Sequence, residues 1–164
     1  LGARALNEIV PQALALIPAA QRPVVTHQSG ASQIDALRAN YEAAGVQADC
    51  TPFIEDTATA FADADIIVCR AGASTVTEIA AVGAAAIFVP FPSAVDDHQT
   101  TNAQFLVDAG GGWLVQQRDL TPEGLSQMLL KLERPALVDI ALKAKNMQKI
   151  NATREVVTAC EELA

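Results

Sequence analysis

Short apolar runs alternate along the chain with stretches in which apolar residues return every three or four positions. The runs Val24 to Gln28, Val46 to Cys50, Ile66 to Cys69, Ala86 to Val89 and Trp113 to Val115 are predicted strands. The helical spacing begins with Leu6, Ile9, Val10, Ala13, Leu14 and Ile17, where Pro11 is expected to kink or restart the helix. A second helix runs from Ser32 to Ala44, closed by Gly45. Asp56 or Thr57 caps a small helix ending near Ala64. A further helix runs from Thr75 to Gly83 with Val76, Ile79 and Ala80 on one side. His98 to Ala109, broken by Gly110 to Gly112, is the next. Thr121, with Pro122 at the first helical position, launches a helix to Leu132. Pro135 to Lys145 and Thr153 to Leu163 complete the set.

Strands alternating with helices at this spacing predict an α/β fold, an open parallel sheet with helices on both faces. The 164 residues suit a single domain, residues 1–164, large enough to bury a core. Ala, Val, Leu and Ile dominate the 51% of hydrophobic residues, which fits helices packed on a parallel sheet. The net charge of −8 sets nucleic acid aside as a partner, because no basic patch offsets it. Cys50, Cys69 and Cys160 are odd in number and far apart, so reduced thiols are expected rather than a disulfide framework or zinc site. No run approaches the roughly 18 apolar residues of a membrane span, and no stretch reads as a signal peptide.

The segment Ile66 to Ala81 carries the most chemistry. Its buried strand ends in a small-residue turn, Arg70 to Ala73, that opens a helix with Ser74, Thr75 and Thr77 at its mouth. First-turn amides lack intrahelical partners and the macrodipole is positive there, so this is an anion site in form. Glu78, about one turn in, could accept both hydroxyls of a ribose. The same residues, Thr75-x-x-Glu78, also read as a capping box.

A longer pattern bears on that choice. Cys69 to Glu78, Phe88-Val89-Pro90-Phe91-Pro92 and Asp96 to Ala103 together resemble the MurG family of bacterial transferases. These enzymes add N-acetylglucosamine to the lipid-linked muramyl-pentapeptide precursor of peptidoglycan. The likeness covers nearly the whole chain: Leu1 to Asn7 resembles the end of a glycine-rich loop, and His27 to Gly30 and Phe53 to Asp56 also fit. It implies a Rossmann-like C-terminal half of a GT-B glycosyltransferase, as a fragment that lacks the first strand of this domain and the N-terminal acceptor domain.

The resemblance implies a UDP-N-acetylglucosamine site. Ile54 would contact uracil through its backbone, beside Phe53. Ala73, Ser74, Thr75, Val76 and Thr77 would hold the diphosphate and ribose region, and Glu78 the ribose hydroxyls. Gln99 and Asn102, one turn apart on a helix, would reach one sugar ring, although capping or solvent contact suits them equally. No catalytic residue is expected here, since in the family the base is thought to lie in the N-terminal half, and no cofactor is expected. Asp96-Asp97-His98 superficially resembles a metal site, but adjacent carboxylates suit a helix start better than one ion, so none is assigned. His98 would flank the sugar, and Arg70 could serve the diphosphate or a structural ion pair. The lipid I acceptor and peripheral contact with the cytoplasmic face of the inner membrane would belong to the missing half. The candidate motifs all fall at predicted C-terminal strand ends, where open α/β sheets bind ligands, and this favours a nucleotide site over plain capping. A UDP-sugar-binding module without activity and a GT-B sugar-nucleotide epimerase are the alternatives.

Overall fold

The computed structural model describes residues 4–163; the expected glycine-loop end at Leu1-Gly2-Ala3 lies outside them. Eight α-helices and five strands follow one another among these residues. They are α1 (Arg4–Ala15), β1 (Thr26–Gln28), α2 (Ile34–Ala44), β2 (Asp49–Thr51), α3 (Thr57–Asp63), β3 (Ile67–Cys69), α4 (Ala73–Val82), β4 (Ala86–Phe88), α5 (His98–Val107), β5 (Trp113–Leu114), α6 (Pro122–Leu130), α7 (Arg134–Asn146) and α8 (Ala152–Glu162). Every strand pairing is parallel, as expected. The expected single sheet is instead two: β1 pairs with β2, and β3, β4 and β5 form a second sheet in that order. β1 and β3 are therefore both edge strands among the described residues.

The core follows from the alternation of side chains along β4. Ala86 and Phe88 face a cluster made with Val76, Ile79, Ala103, Leu106 and Ala144, from α4, α5 and α7. Ile87 and Val89 face the other side, against Leu6, Ala13, Leu120 and Leu125. All three residues of β4 are fully buried, so this strand is covered on both faces. A third cluster, Leu14, Ile17, Leu37, Tyr41 and Val46, lies over the two-stranded sheet. Helix α1 contributes to both of the latter clusters, and thereby spans the interruption between the sheets. The start of β5 comes close to β4: a side chain at Gly112 would put its Cβ 2.7 Å from the Ala86 carbonyl oxygen.

Pro11 does not restart α1, which runs unbroken from Arg4 to Ala15 with the proline inside and buried. A mid-helix proline lacks the N–H that would bond the carbonyl four residues back. That carbonyl belongs to Asn7, and it accepts instead from Asn40 Nδ2 of α2 at 2.9 Å. The lost helical bond is replaced across the helix pair. Arg22 ties the same two helices at their other ends, donating to the carbonyls of Ala15, Ile17 and Gly45. This is the favourable place for a cation on the helix dipole.

Beneath these contacts, His27 of β1 sits between Tyr41, whose hydroxyl is 2.9 Å from Nδ1, and Asn7, whose Oδ1 is 3.1 Å from Nε2. Burial lowers the His27 pKa to about 4.

Two measurements check this packing. Asn40→Ala leaves the Asn7 carbonyl without its partner, and should lower the unfolding free energy by about 1–3 kcal/mol in urea titrations. For His27, the folded pKa is below the unfolded one, so the unfolded chain takes up the proton first. Stability attributable to His27 should then fall by about 3 kcal/mol between pH 6.5 and pH 4, and be fully present above pH 6.5. The difference in stability between wild type and His27→Gln, followed across that range, should show this slope.

Candidate functional site

The helix after β3 starts two residues earlier than its hydroxyls indicate. α4 begins at Ala73, with Gly72 as N-cap and no side-chain cap. Thr75 is thus the third helical residue rather than a cap, and the capping-box geometry is absent. Val76 N–H bonds the Gly72 carbonyl at 3.0 Å, closing the first helical turn. The amides of Ala73, Ser74 and Thr75 precede that bond and are the unsatisfied donors of this helix end. Val76 is 4% exposed and points into the core, so its part is packing. Thr77 Oγ1 donates back to the Ala73 carbonyl at 2.8 Å, which commits its proton within the helix. Ser74 and Thr75 hydroxyls make no hydrogen bond with the described residues. Glu78 is exposed, and it forms no hydrogen bond or ion pair with them either.

The second expected pair lies on α5, whose start abuts this turn. Asn102 Nδ2 donates to the Ala71 carbonyl at 3.1 Å, fixing the second turn of α5 against the entry to α4. Gln99 Oε1 accepts from the Phe91 amide at 3.0 Å, fixing the loop after β4. Each amide thus uses one end for structure, leaving Gln99 Nε2 and Asn102 Oδ1 as the groups available to a ligand. Before α5, Asp96 and Asp97 both have left-handed backbone, φ 51° and 50°. Such strain in non-glycine residues concentrates at functional sites. The Asp97 carboxylate accepts from Thr100 Oγ1 at 2.7 Å.

Arg70 is built into the frame. Its guanidinium donates to the carbonyls of Val89 and Pro90 at 3.1 and 3.0 Å and to Gln117 Oε1 at 2.6 Å, and lies 5.5 Å from the centre of the Phe91 ring. It joins the C-terminal ends of β3 and β4 to the loop after β5. Its charge remains beside the α4 entry, partly desolvated, which lowers its pKa.

Ile54 leaves the C-terminal end of β2. Its amide donates to Gln28 Oε1 of β1 at 2.9 Å, a contact between segments 26 residues apart that no local pattern predicts. Phe53 beside it is 66% exposed, large for an aromatic ring at a strand end. Gln28 lies in the His27 to Gly30 motif with no role attached to it, and Gln117 has no motif or period to mark it; only the fold brings them to these partners. Among the described residues, no three His, Cys, Asp or Glu side chains are grouped to hold a metal, and no helix is long and apolar enough to cross a membrane.

Residues 1–160 match the model of the glycosyltransferase family 28 C-terminal domain. The chain is 79% identical over 163 residues to a Paracidovorax citrulli protein named UDP-N-acetylglucosamine--N-acetylmuramyl-(pentapeptide) pyrophosphoryl-undecaprenol N-acetylglucosamine transferase, covering 99% of this chain and 46% of that protein. It is 77% identical over its full length to a protein of the same name from Polaromonas naphthalenivorans, again covering 46% of it. The crystal structure of Acinetobacter baumannii MurG superposes with a TM-score of 0.90 at 46% identity, over 99% of this chain and 49% of that one. A glycosyltransferase solved with dTDP, VinC, shares the fold at TM-score 0.65 and 20% identity, over 97% of this chain and 38% of its own. The chain spans about half the length of the relatives it matches. By the family model and these relatives, it belongs to glycosyltransferase family 28, as the C-terminal domain of that family.

Proposed function

We propose that these residues hold UDP-N-acetylglucosamine for an inverting glycosyltransferase that adds N-acetylglucosamine to lipid I. The observation that carries the reading is the start of α4. Three amides, the hydroxyls of Ser74 and Thr75, and the Glu78 carboxylate, all without partners among the described residues, stand together at the end of a buried strand. The diphosphate takes the amides of Ala73, Ser74 and Thr75, and Glu78 accepts the ribose hydroxyls. Val76 and Thr77 shape the helix without offering donors. Ile54 reads uracil through its backbone, and Gln99 Nε2 and Asn102 Oδ1 read the sugar. The names of the relatives supply the donor and acceptor classes.

In this reaction the acceptor hydroxyl attacks C1 of the sugar, the bond from C1 to the diphosphate oxygen breaks, and UDP leaves. Negative charge grows on the leaving diphosphate, and the fixed amides at the α4 terminus stabilise it without reorganising. The base and the acceptor site belong to the rest of the longer protein, which the relatives' length supports. Peripheral contact with the cytoplasmic face of the inner membrane is assigned to that part as well. The sheet interruption beneath α1 supports a further parallel strand seated between β1 and β3 in the whole protein. These 164 residues then bind the donor without turning it over.

Glu78→Gln should weaken UDP binding by about 1–3 kcal/mol in calorimetry, with the melting temperature unchanged, because Glu78 makes no hydrogen bond or ion pair with the described residues. A drop in melting temperature at unchanged affinity would contradict this role.

Alanine at Gln99 or Asn102 should lower affinity for UDP-N-acetylglucosamine more than for UDP. Each change also removes one structural hydrogen bond, worth about 1 kcal/mol of stability. The ratio of the two affinities is therefore the readout, and equal losses would remove both residues from the sugar site.

A further inference from the structure

The Ile54 amide is already taken, by the side chain of Gln28. A carboxamide presents an acceptor oxygen and a donor N–H side by side. The Watson–Crick edge of uracil presents the same pair, O4 beside N3–H, whereas cytosine inverts it. The backbone of Ile54 offers the complement, an N–H and a carbonyl, and that carbonyl accepts no hydrogen bond from the described residues. We infer that Gln28 is a stand-in for the pyrimidine edge: its carboxamide occupies the Ile54 amide until a uracil-type base displaces it. The inference rests on the donor-site reading given above.

Three observations make the exchange cheap. Gln28 is exposed, so its side chain can leave into water. The loop it touches is held without it: Ser29 N–H bonds the Thr51 carbonyl at 3.2 Å and Gly30 N–H the Pro52 carbonyl at 3.1 Å. Thr51 Oγ1 also donates to the Phe53 carbonyl at 2.8 Å. Removing Gln28 from Ile54 therefore leaves the 51–54 loop in place and its amide ready. Residue 28 then sets base affinity by competition, and leaves the diphosphate site alone.

The test measures binding of UDP and of inorganic pyrophosphate to the full 164-residue chain and to Gln28→Met, which keeps the length of the side chain and removes the acceptor. UDP should bind the variant roughly two- to tenfold more tightly, the worth of one net hydrogen bond, with pyrophosphate affinity and melting temperature unchanged. Gln28→Ser, too short to reach Ile54, should behave alike and serves if the Met variant does not fold. Unchanged or weaker UDP binding in the variants would overturn the inference, because Gln28 would then be a bystander or a support. Wild type that binds pyrophosphate and not UDP overturns it with the anion site intact. Wild type that binds neither overturns the donor-site reading, and this inference with it.

Discussion

The structure depends on α1 lying across two separate parallel sheets. Its Leu6 and Ala13 close the cluster on β4, while its Leu14, with Ile17 just after the helix, closes the cluster over β1 and β2. Burial of this kind contributes about 1.5–3 kcal/mol for each large apolar side chain. The two sheets share no strand pairing among the described residues, so helix packing, α1 foremost, holds together the strand ends that carry the candidate site. The helix runs unbroken through Pro11, and Asn40 takes up the carbonyl that the proline orphans.

That dependence explains what could and could not be read from the sequence. The elements were legible because their signals are local. Asp56 and Thr121 cap their helices as expected, accepting from the amides of Thr59 and Gly124. Gly45 closes α2 in left-handed backbone. The helix continues through Pro11 rather than restarting: the rule for proline in a helix is local, whereas the partner of the Asn7 carbonyl is Asn40, 33 positions further along the chain. The start of α4 was misplaced because Ser and Thr attract a capping assignment, yet Gly72 takes the cap with no side chain at all. The break between the sheets was invisible, since apolar runs identify strands but not which strands pair.

The candidate site was legible by segment and less so by atom. The family resemblance implied Ile54, Ala73 to Glu78, Gln99 and Asn102, and periodicity placed those segments at strand ends. The structure divides their labour: Val76 packs, Thr77 bonds its own helix, and Gln99 and Asn102 each spend half an amide on the fold. Arg70 is a frame residue whose charge is a by-product of its place. The polar groups left over at the start of α4 are amides, hydroxyls and one carboxylate, a set suited to an anion joined to a diol.

The claim that the start of α4 holds the donor diphosphate is most directly tested by amide NMR of the labelled chain titrated with UDP. The account expects the amides of Ala73, Ser74 and Thr75 to shift most and to gain protection from hydrogen exchange, with Ile54 following. Shifts confined to other surfaces, such as the cleft between α1 and α2, with the three α4 amides unmoved at saturation, would contradict it.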